Sequence, residues 1–459
     1  MDLLSDVYAN QEDLPEKIRE YIRSGENLSA MTEYGESALT VSSNNGRFDV
    51  VKLLLDGGAA PAQLGWTPTF YEVAYGDLES VKRSVAEQND LEARDYWSRT
   101  PWLLSIQVGE IDKAALLLEI GADQNAVGRC EKVPMAYAIQ SDDVKMLQWL
   151  IDQGFDIEFT DEFLETPLIT ACELGAFDCA RLLIASGADI YKCDHLGQSP
   201  IYVASSMAIV KLLVDSGADI NNVSEESHAM MHGLDVDGSP TVTPEQYLKD
   251  RYRTFGSANP EKVDKPFWLD MIKTGASSWQ AQRTYSDRDS SASDRLWTYK
   301  RFGRTINILD DGRTIEIGGE HEDFYDPDFC IYNDVTVFHA DEEIEIYTYP
   351  EDLFPPTDFH TSTRVNGYIY IIGGLGYSES RIPGFTAVYR LDINSYAIER
   401  VETGGENPGW IYGHRASAPD PSTISIQGGT IINHAGEYIR HDRRYQLNLL
   451  TGQWTLLES

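Results

Sequence analysis

Five prolines, Pro68, Pro101, Pro134, Pro167 and Pro200, recur at one constant interval of about 33 residues, the length of a small structural repeat. Their contexts are WTPTF, RTPWL, KVPMA, ETPLI and QSPIY. A unit of that length cannot bury a hydrophobic face alone, so such units must stack on one another. Twenty residues after three of these prolines stand Gly121, Gly154 and Gly187, closing apolar stretches such as AALLLEIG, VKMLQWLIDQG and CARLLIASG. Each unit therefore reads as a short helix, usually opened by Thr-Pro or Ser-Pro, a turn, and a second amphipathic helix ended by Gly. Proline suits the first helical turn, where its missing N–H would be unpaired anyway. The preceding Thr or Ser caps free N–H groups. Gly accepts the left-handed conformation beyond a helix end. The Asp of Gly-Ala-Asp, with acidic residues near positions 161 and 194, suits tight turns.

This pattern resembles the ankyrin repeat, whose motifs stand here as TPLITA (166–171) and SGADIN (216–221). An earlier unit without proline is ESALTVSSNNGRFDVVKLLLDGGA (36–59), and DLPEKIREYIRSGENLSA before it looks like a divergent cap. The resemblance covers 1–222 and implies an α-solenoid of six to seven repeats. The last unit (VASSMAIVKLL) is three residues short between its helices. The unit around Tyr75 departs most, with Glu72 where the family prefers Ala, and looser packing is expected there.

From residue 300 onward, alternation of apolar and polar residues replaces helical spacing, which is strand composition. Gly318-Gly319, Gly373-Gly374 and Gly428-Gly429 recur at equal intervals, in RTIEIGGEHED, GYIYIIGGLGY and STISIQGGTII. Two further strands follow each pair, and a matching segment precedes it (RFGRTINI, DFHTSTRV, GHRASAPD). The order resembles kelch blades: about three over 300–459, with the terminal Trp kept only as Trp454 and with Ile344 and Ile398 near the other blade ends. Propellers hold four to eight blades. The resemblance therefore implies an open arc, a distorted closed structure, or a ring shared by two chains. The fold class expected is α + β and multidomain: an ankyrin solenoid, a linker over 223–299 with short helices at TPEQYLKDRYRTF, DKPFWLDMIKTG and SSWQAQRTY, and an all-β kelch-like domain. Phe267, Trp268, Met271 and Ile272 read as packing residues.

The search for chemistry yields little. No Gly-rich phosphate loop opens a helix, and neither G-x-S-x-G nor H-E-x-x-H occurs. His228 and His232 stand four apart, a spacing that on a helix lets two rings share a metal. Their flank, SHAMMHGLDVDG, reads as loop, so no metal is expected. The densest polar cluster is 318–334, with Glu320, His321, Glu322, Asp323, Asp326, Asp328 and Asp334. It reads mainly as a solvated loop. Together with His360, it gives an alternative site for a sugar, a metal or an enzyme active site on the kelch-like face. His360 and His414 hold matching positions and read as backbone-bonded structural residues. No cofactor is expected.

The ankyrin resemblance implies a concave binding surface made of hairpin tips and first-helix faces. The tip residues are Tyr34, Tyr96, Trp97, Arg129, Glu162, Phe163 and His195; the helix-face residues are Tyr71, Tyr75, Gln107, Tyr137, Gln140 and Glu173. Charge points to the kind of partner. The chain carries 74 acidic against 37 basic residues, with 39 against 16 in residues 1–232. That balance argues against nucleic acid and anionic membranes and favours a basic protein. No apolar run is long enough to span a membrane, no signal segment opens the sequence, and the five cysteines are irregularly spaced. The function expected is non-catalytic protein binding in the cytoplasm, including immunity-type or regulatory inhibition of a basic toxin or nuclease. Oligomerisation through incomplete blades is a further expectation.

Overall fold

A computed structural model describes residues 2–88, 90–286, 295–321 and 329–457. The chain divides into two compact units, Met1–Ser227 and His228–Ser459.

In the first unit the prolines open helices as their spacing requires. Pro68–Tyr75, Pro101–Val108, Pro134–Gln140 and Pro167–Leu174 all begin on the proline. Thr100 and Thr166 accept hydrogen bonds from Leu103 N and Ile169 N, which completes two of the N-caps. The second helices are Leu78–Gln88, Ile111–Glu119, Val144–Asp152 and Phe177–Ala185. Helices Ala38–Asn44 and Phe48–Asp56 form the proline-free unit, and Leu3–Ala9 with Leu14–Ser24 precede it. The last unit departs further than its length suggested: after Pro200 only a turn forms, and Met207–Asp215 is its one helix. The unit around Tyr75 is not loose. Phe70, Val73 and Val81 are fully buried. Beneath them Thr69 bonds Ser84 at 2.9 Å and Asp90 at 2.6 Å, so hydroxyls and a carboxylate fill part of the interior.

Three of the hairpins between repeats are closed by an aspartate six residues before the proline. Asp95 Oδ1 accepts from Trp97 N and Arg99 N, Asp161 Oδ1 from Phe163 N and Glu165 N, and Asp194 Oδ1 from Leu196 N and Gln198 N. Gly128 takes this place in the Pro134 unit, because the Tyr137 hydroxyl would lie only 1.8 Å from a Cβ there.

The second unit contains three successive antiparallel meanders of four strands. The first runs Thr305–Ile308, Thr314–Ile317, Val335–Phe338, Ile344–Thr348. The second runs Thr361–Val365, Tyr368–Ile372, Val388–Asp392, Ile398–Arg400. The third runs Arg415–Asp420, Thr423–Gln427, Arg444–Asn448, Gln453–Leu457. The leading strand of the middle meander lies against the leading strands of both others. No strand pairing joins the third to the first among the described residues, and no closed propeller is present there.

The first two Gly-Gly pairs sit where one meander meets the next. Gly319 N donates to Thr357 O at 2.8 Å and Gly374 N to Ile411 O at 2.9 Å. A Cβ on Gly373 would lie 2.3 Å from Ile411 O, and its φ is +69°. Only glycine combines that conformation with that approach.

The stretch 223–299 is not a separate connector. Its predicted helices form as Pro244–Asp250, Pro266–Thr274 and Ser278–Thr284, and Glu261–Lys262 adds a strand to the edge of the first meander. Phe267, Trp268, Met271 and Ile272 are buried in one core with Trp297, Tyr332, Phe338 and Ile346. The flank of His228 is also corrected: Glu225–His232 is a helix, with Ser224 Oγ accepting from Ser227 N.

Candidate protein-binding surface and a buried histidine cluster

The hairpin tips of the first unit are joined backbone to backbone. Tyr96 N donates to Leu64 O, Arg129 N to Trp97 O, Glu162 N to Cys130 O, and His195 N to Phe163 O, at 2.9–3.3 Å. The tips thus form a continuous strip of side chains in fixed succession. Tyr34 is 80 % exposed at one end and Leu196 68 % exposed at the other. Between them the Arg129 guanidinium lies 5.1 Å from the Tyr96 ring centre and 4.8 Å from that of Trp97, a cation–π pair on adjoining tips. The Trp97 indole donates to Thr40 O at 2.7 Å, which anchors it to the preceding repeat. The Phe163 and His195 rings meet at 5.4 Å.

Of the helix-face residues, Glu173 and Tyr75 are exposed, while Tyr71 and Gln140 are half-buried. Tyr71 and Tyr75 flank Trp66, at 5.2 and 6.2 Å between ring centres. Gln107 and Tyr137 are not on the surface. Gln107 is buried, accepting from Arg99 and donating to Asn44 O and Gln140 Oε1. Arg99 is itself sealed in, paired with Asp95 and bonded to Ser43. The Tyr137 ring packs under the Lys132 ammonium, 4.7 Å away. Burial and the nearby Arg99 charge push that ammonium down to about 8.

Two exposed tip residues escaped the sequence reading, Leu164 and Leu196. Leu164 has φ +60°. Ser98, Glu131 and Gly197 hold the same hairpin place with φ +61°, +56° and +79°. A left-handed leucine, half exposed on a tip, is a signal that apolar residues inside a turn motif can give but that periodicity does not.

In the second unit, Asp323, Asp326 and Asp328 lie outside the described residues. Glu320 and His321 pair across to Ile331 and Cys330. His321 is buried with Nε2 2.8 Å from Ser278 Oγ. His360 is not on a ligand-facing surface. Its Nε2 lies 2.9 Å from Thr305 Oγ1 and its Nδ1 3.4 Å from Thr357 Oγ1, so both nitrogens are engaged inside the protein. His414 repeats the Nε2 contact one meander later, 2.8 Å from Thr361 Oγ1, while its Nδ1 is buried without a hydrogen bond. Burial pushes both rings down to about 3, so both are neutral. Asp334 is likewise interior, ion-paired with Arg301 and accepting from the Trp297 indole at 2.7 Å.

The histidine pair that the sequence placed in a loop lies on a helix of the same unit and is joined by a third residue, Glu316, which the sequence did not single out. The helix Glu225–His232 places the His228 and His232 rings one turn apart, with centres at 5.2 Å. Strand Thr314–Ile317 brings Glu316 to them: Oε1 is 2.5 Å from His228 Nε2 and 3.3 Å from His232 Nε2. The other oxygen, Oε2, accepts from Tyr299 Oη at 2.9 Å and lies 3.8 Å from Arg304 Nε. The His228, Arg304 and His232 contacts hold the Glu316 carboxyl well below its usual range, against a burial effect of opposite sign.

A family model for ankyrin repeats matches residues 135–224 in three copies. A solved structure described as the ankyrin repeat domain of Bcl-3, a member of the IkappaB protein family, is 24% identical over 46% of this chain and 96% of that one, with a TM-score of 0.30. No curated protein matches. The chain thus carries ankyrin repeats over 135–224, followed by a β-rich second unit.

Proposed function

We propose that this chain is a non-catalytic interaction protein whose tip strip binds a basic protein. Ankyrin repeats indicate a protein partner. The observation that carries the finer reading is the strip itself: Tyr96, Trp97, Phe163, Leu164, His195 and Leu196 held in succession by the inter-hairpin bonds, with exposed Tyr34 on the first hairpin. Aromatic and apolar side chains on a rigid frame are what hot spots are made of. Exposed Glu33, Glu131, Glu162 and Glu173 lie on the same tips and adjacent helices. The Arg129 charge is partly spent on Tyr96 and Trp97. A basic partner would be steered onto such a surface and held less tightly as salt rises.

Inhibition of a toxin or nuclease, in a reducing compartment suited to five unpaired thiols, is the form of this function we favour. The second unit we read as kelch-like, on the repetition of its meanders and of the Gly-Gly contacts between them.

The test is affinity purification from the native host at low and at physiological salt, followed by affinity measurement with the protein recovered. Phe163→Ala with Leu196→Ala removes exposed side chains and leaves every hairpin bond in place. The expected outcome is one basic protein, bound less tightly at higher salt and at least about 10-fold less tightly by the double variant. Retention of an acidic protein, or equal binding by wild type and variant, would overturn the proposal.

A further inference from the structure

We propose that His228, His232 and Glu316 bind one divalent transition-metal ion, with zinc the ion their donors suit. Their three ligand atoms lie within 4.8 Å of one another, in a site closed to solvent. Two elements distant in sequence supply them: a helix whose i and i+4 positions present both rings on one face, and a strand that carries the carboxylate.

Two further observations bear on occupancy. First, the two oxygens of Glu316 have separate surroundings. Oε2 is taken by Tyr299 and faces Arg304, while Oε1 is the atom presented to both imidazoles. That is how a single-oxygen metal ligand is oriented by its outer partners. Second, His232 Nε2 is buried without a hydrogen bond: it is 3.3 Å from Oε1 but lacks hydrogen-bond geometry. Its ring cannot turn freely to find another partner, because it is stacked on Phe338 at 3.8 Å and 14°.

A hydrogen-bonded network without metal accounts for His228, Glu316 and Tyr299. It leaves the His232 nitrogen without a hydrogen bond, which is unfavourable for a buried polar group. An ion among the three satisfies it. Tetrahedral bonds of about 2.0–2.1 Å put ligand atoms about 3.3 Å apart. His232 already stands at that distance from Oε1, and His228 must withdraw from 2.5 Å. Two imidazole nitrogens favour zinc over calcium or magnesium, which take oxygen shells.

The experiment uses the full-length chain, stripped with chelator and titrated with zinc against a chromophoric competitor, and in parallel with cobalt(II). The expected result is one equivalent of zinc and a visible cobalt spectrum of tetrahedral intensity. His232→Ala, checked for native circular dichroism, should lower zinc affinity by more than the roughly 10–100-fold that loss of an outer partner costs. Tyr299→Phe should fall within that range. No stoichiometric zinc uptake by the wild type, a weak octahedral cobalt spectrum, or unchanged affinity in folded His232→Ala would each overturn the proposal. The wild-type titration and spectrum decide the matter even where a variant fails to fold.

Discussion

At the scale of single residues, Leu164 places an exposed apolar side chain on a hairpin at the expense of backbone conformation. With φ at +60°, it occupies a region that costs an L-residue about 1–2 kcal/mol, and that the equivalent Gly197 occupies freely. Leu164→Gly is expected to raise the urea midpoint by about 0.5–1 kcal/mol equivalent, since glycine's greater unfolded entropy offsets part of the relief. The same change should weaken partner binding; a variant that is both less stable and equally bound would count against a binding role for this leucine. His360 and His414 lend themselves to a titration. Unfolded, each ring titrates near 6.5; folded, near 3. Between those values the unfolded chain holds protons that the folded chain lacks, so stability is lost as pH falls through that window. At pH 5 the loss is about 2 kcal/mol per ring. Urea unfolding at pH 7 and pH 5 should show it, and His360→Gln should remove about half of the two rings' combined loss. An identical slope in the variant would show that the ring is not the source.

Elements were more legible than side chains. Proline and glycine fixed the helix starts and stops of the repeats because each acts through its own backbone restriction. The strands were legible because alternation and Gly-Gly marked them together. What failed was the assignment of helix faces. Pro101–Gln107 is buried at every position, and PWLLSIQ is apolar nearly all round, which is the pattern of a helix enclosed on all sides. Gln107 was therefore never on a solvent face, and Tyr137 was displaced inward by the space that Gly128 leaves. The helix of His228 was missed because Gly and Asp beyond it suggested a loop, although Ser224 followed by Glu225 and Glu226 is a helix-start pattern. The histidine pair was legible in its four-residue spacing, but the third member of the cluster was not, since Glu316 reaches it from a strand far along the chain, with no local spacing to tie it to His232. The Gly-Gly contacts offer a test at this scale. Gly367 also has positive φ, +81°, but nothing within 4 Å of a Cβ. Gly367→Ala should cost about 1–2 kcal/mol. Gly373→Ala, with Ile411 O at 2.3 Å, should cost about 1–3 kcal/mol more by thermal or urea unfolding. Equal losses would mean that the meanders separate there at little cost.

For the whole molecule, the division into Met1–Ser227 and His228–Ser459 follows from separate cores. The first is built of stacked helix pairs with Trp102, Leu117, Leu147 and Leu183 inside. The second collects the aromatics of 223–299 with those of the first meander, and adds two sheet cores. A fragment ending at Ser224 is expected to unfold cooperatively and to keep the partner affinity of the full chain within about threefold. Circular dichroism and a binding titration check both; a fragment that folds but does not bind would place part of the binding surface in the second unit. The aspartates that close the hairpins matter beyond stability. Asp95, Asp161 and Asp194 close their turns by accepting from backbone N–H groups, Asp95 also binding the Arg99 guanidinium and the Trp66 indole, so the outward side chains of Phe163, Leu164 and Leu196 contribute nothing to closing them. Phe163, Leu164 and Leu196 can therefore be exchanged one at a time with the hairpin bonds unchanged, so the face these tips present is free to vary in sequence over a scaffold that stays folded.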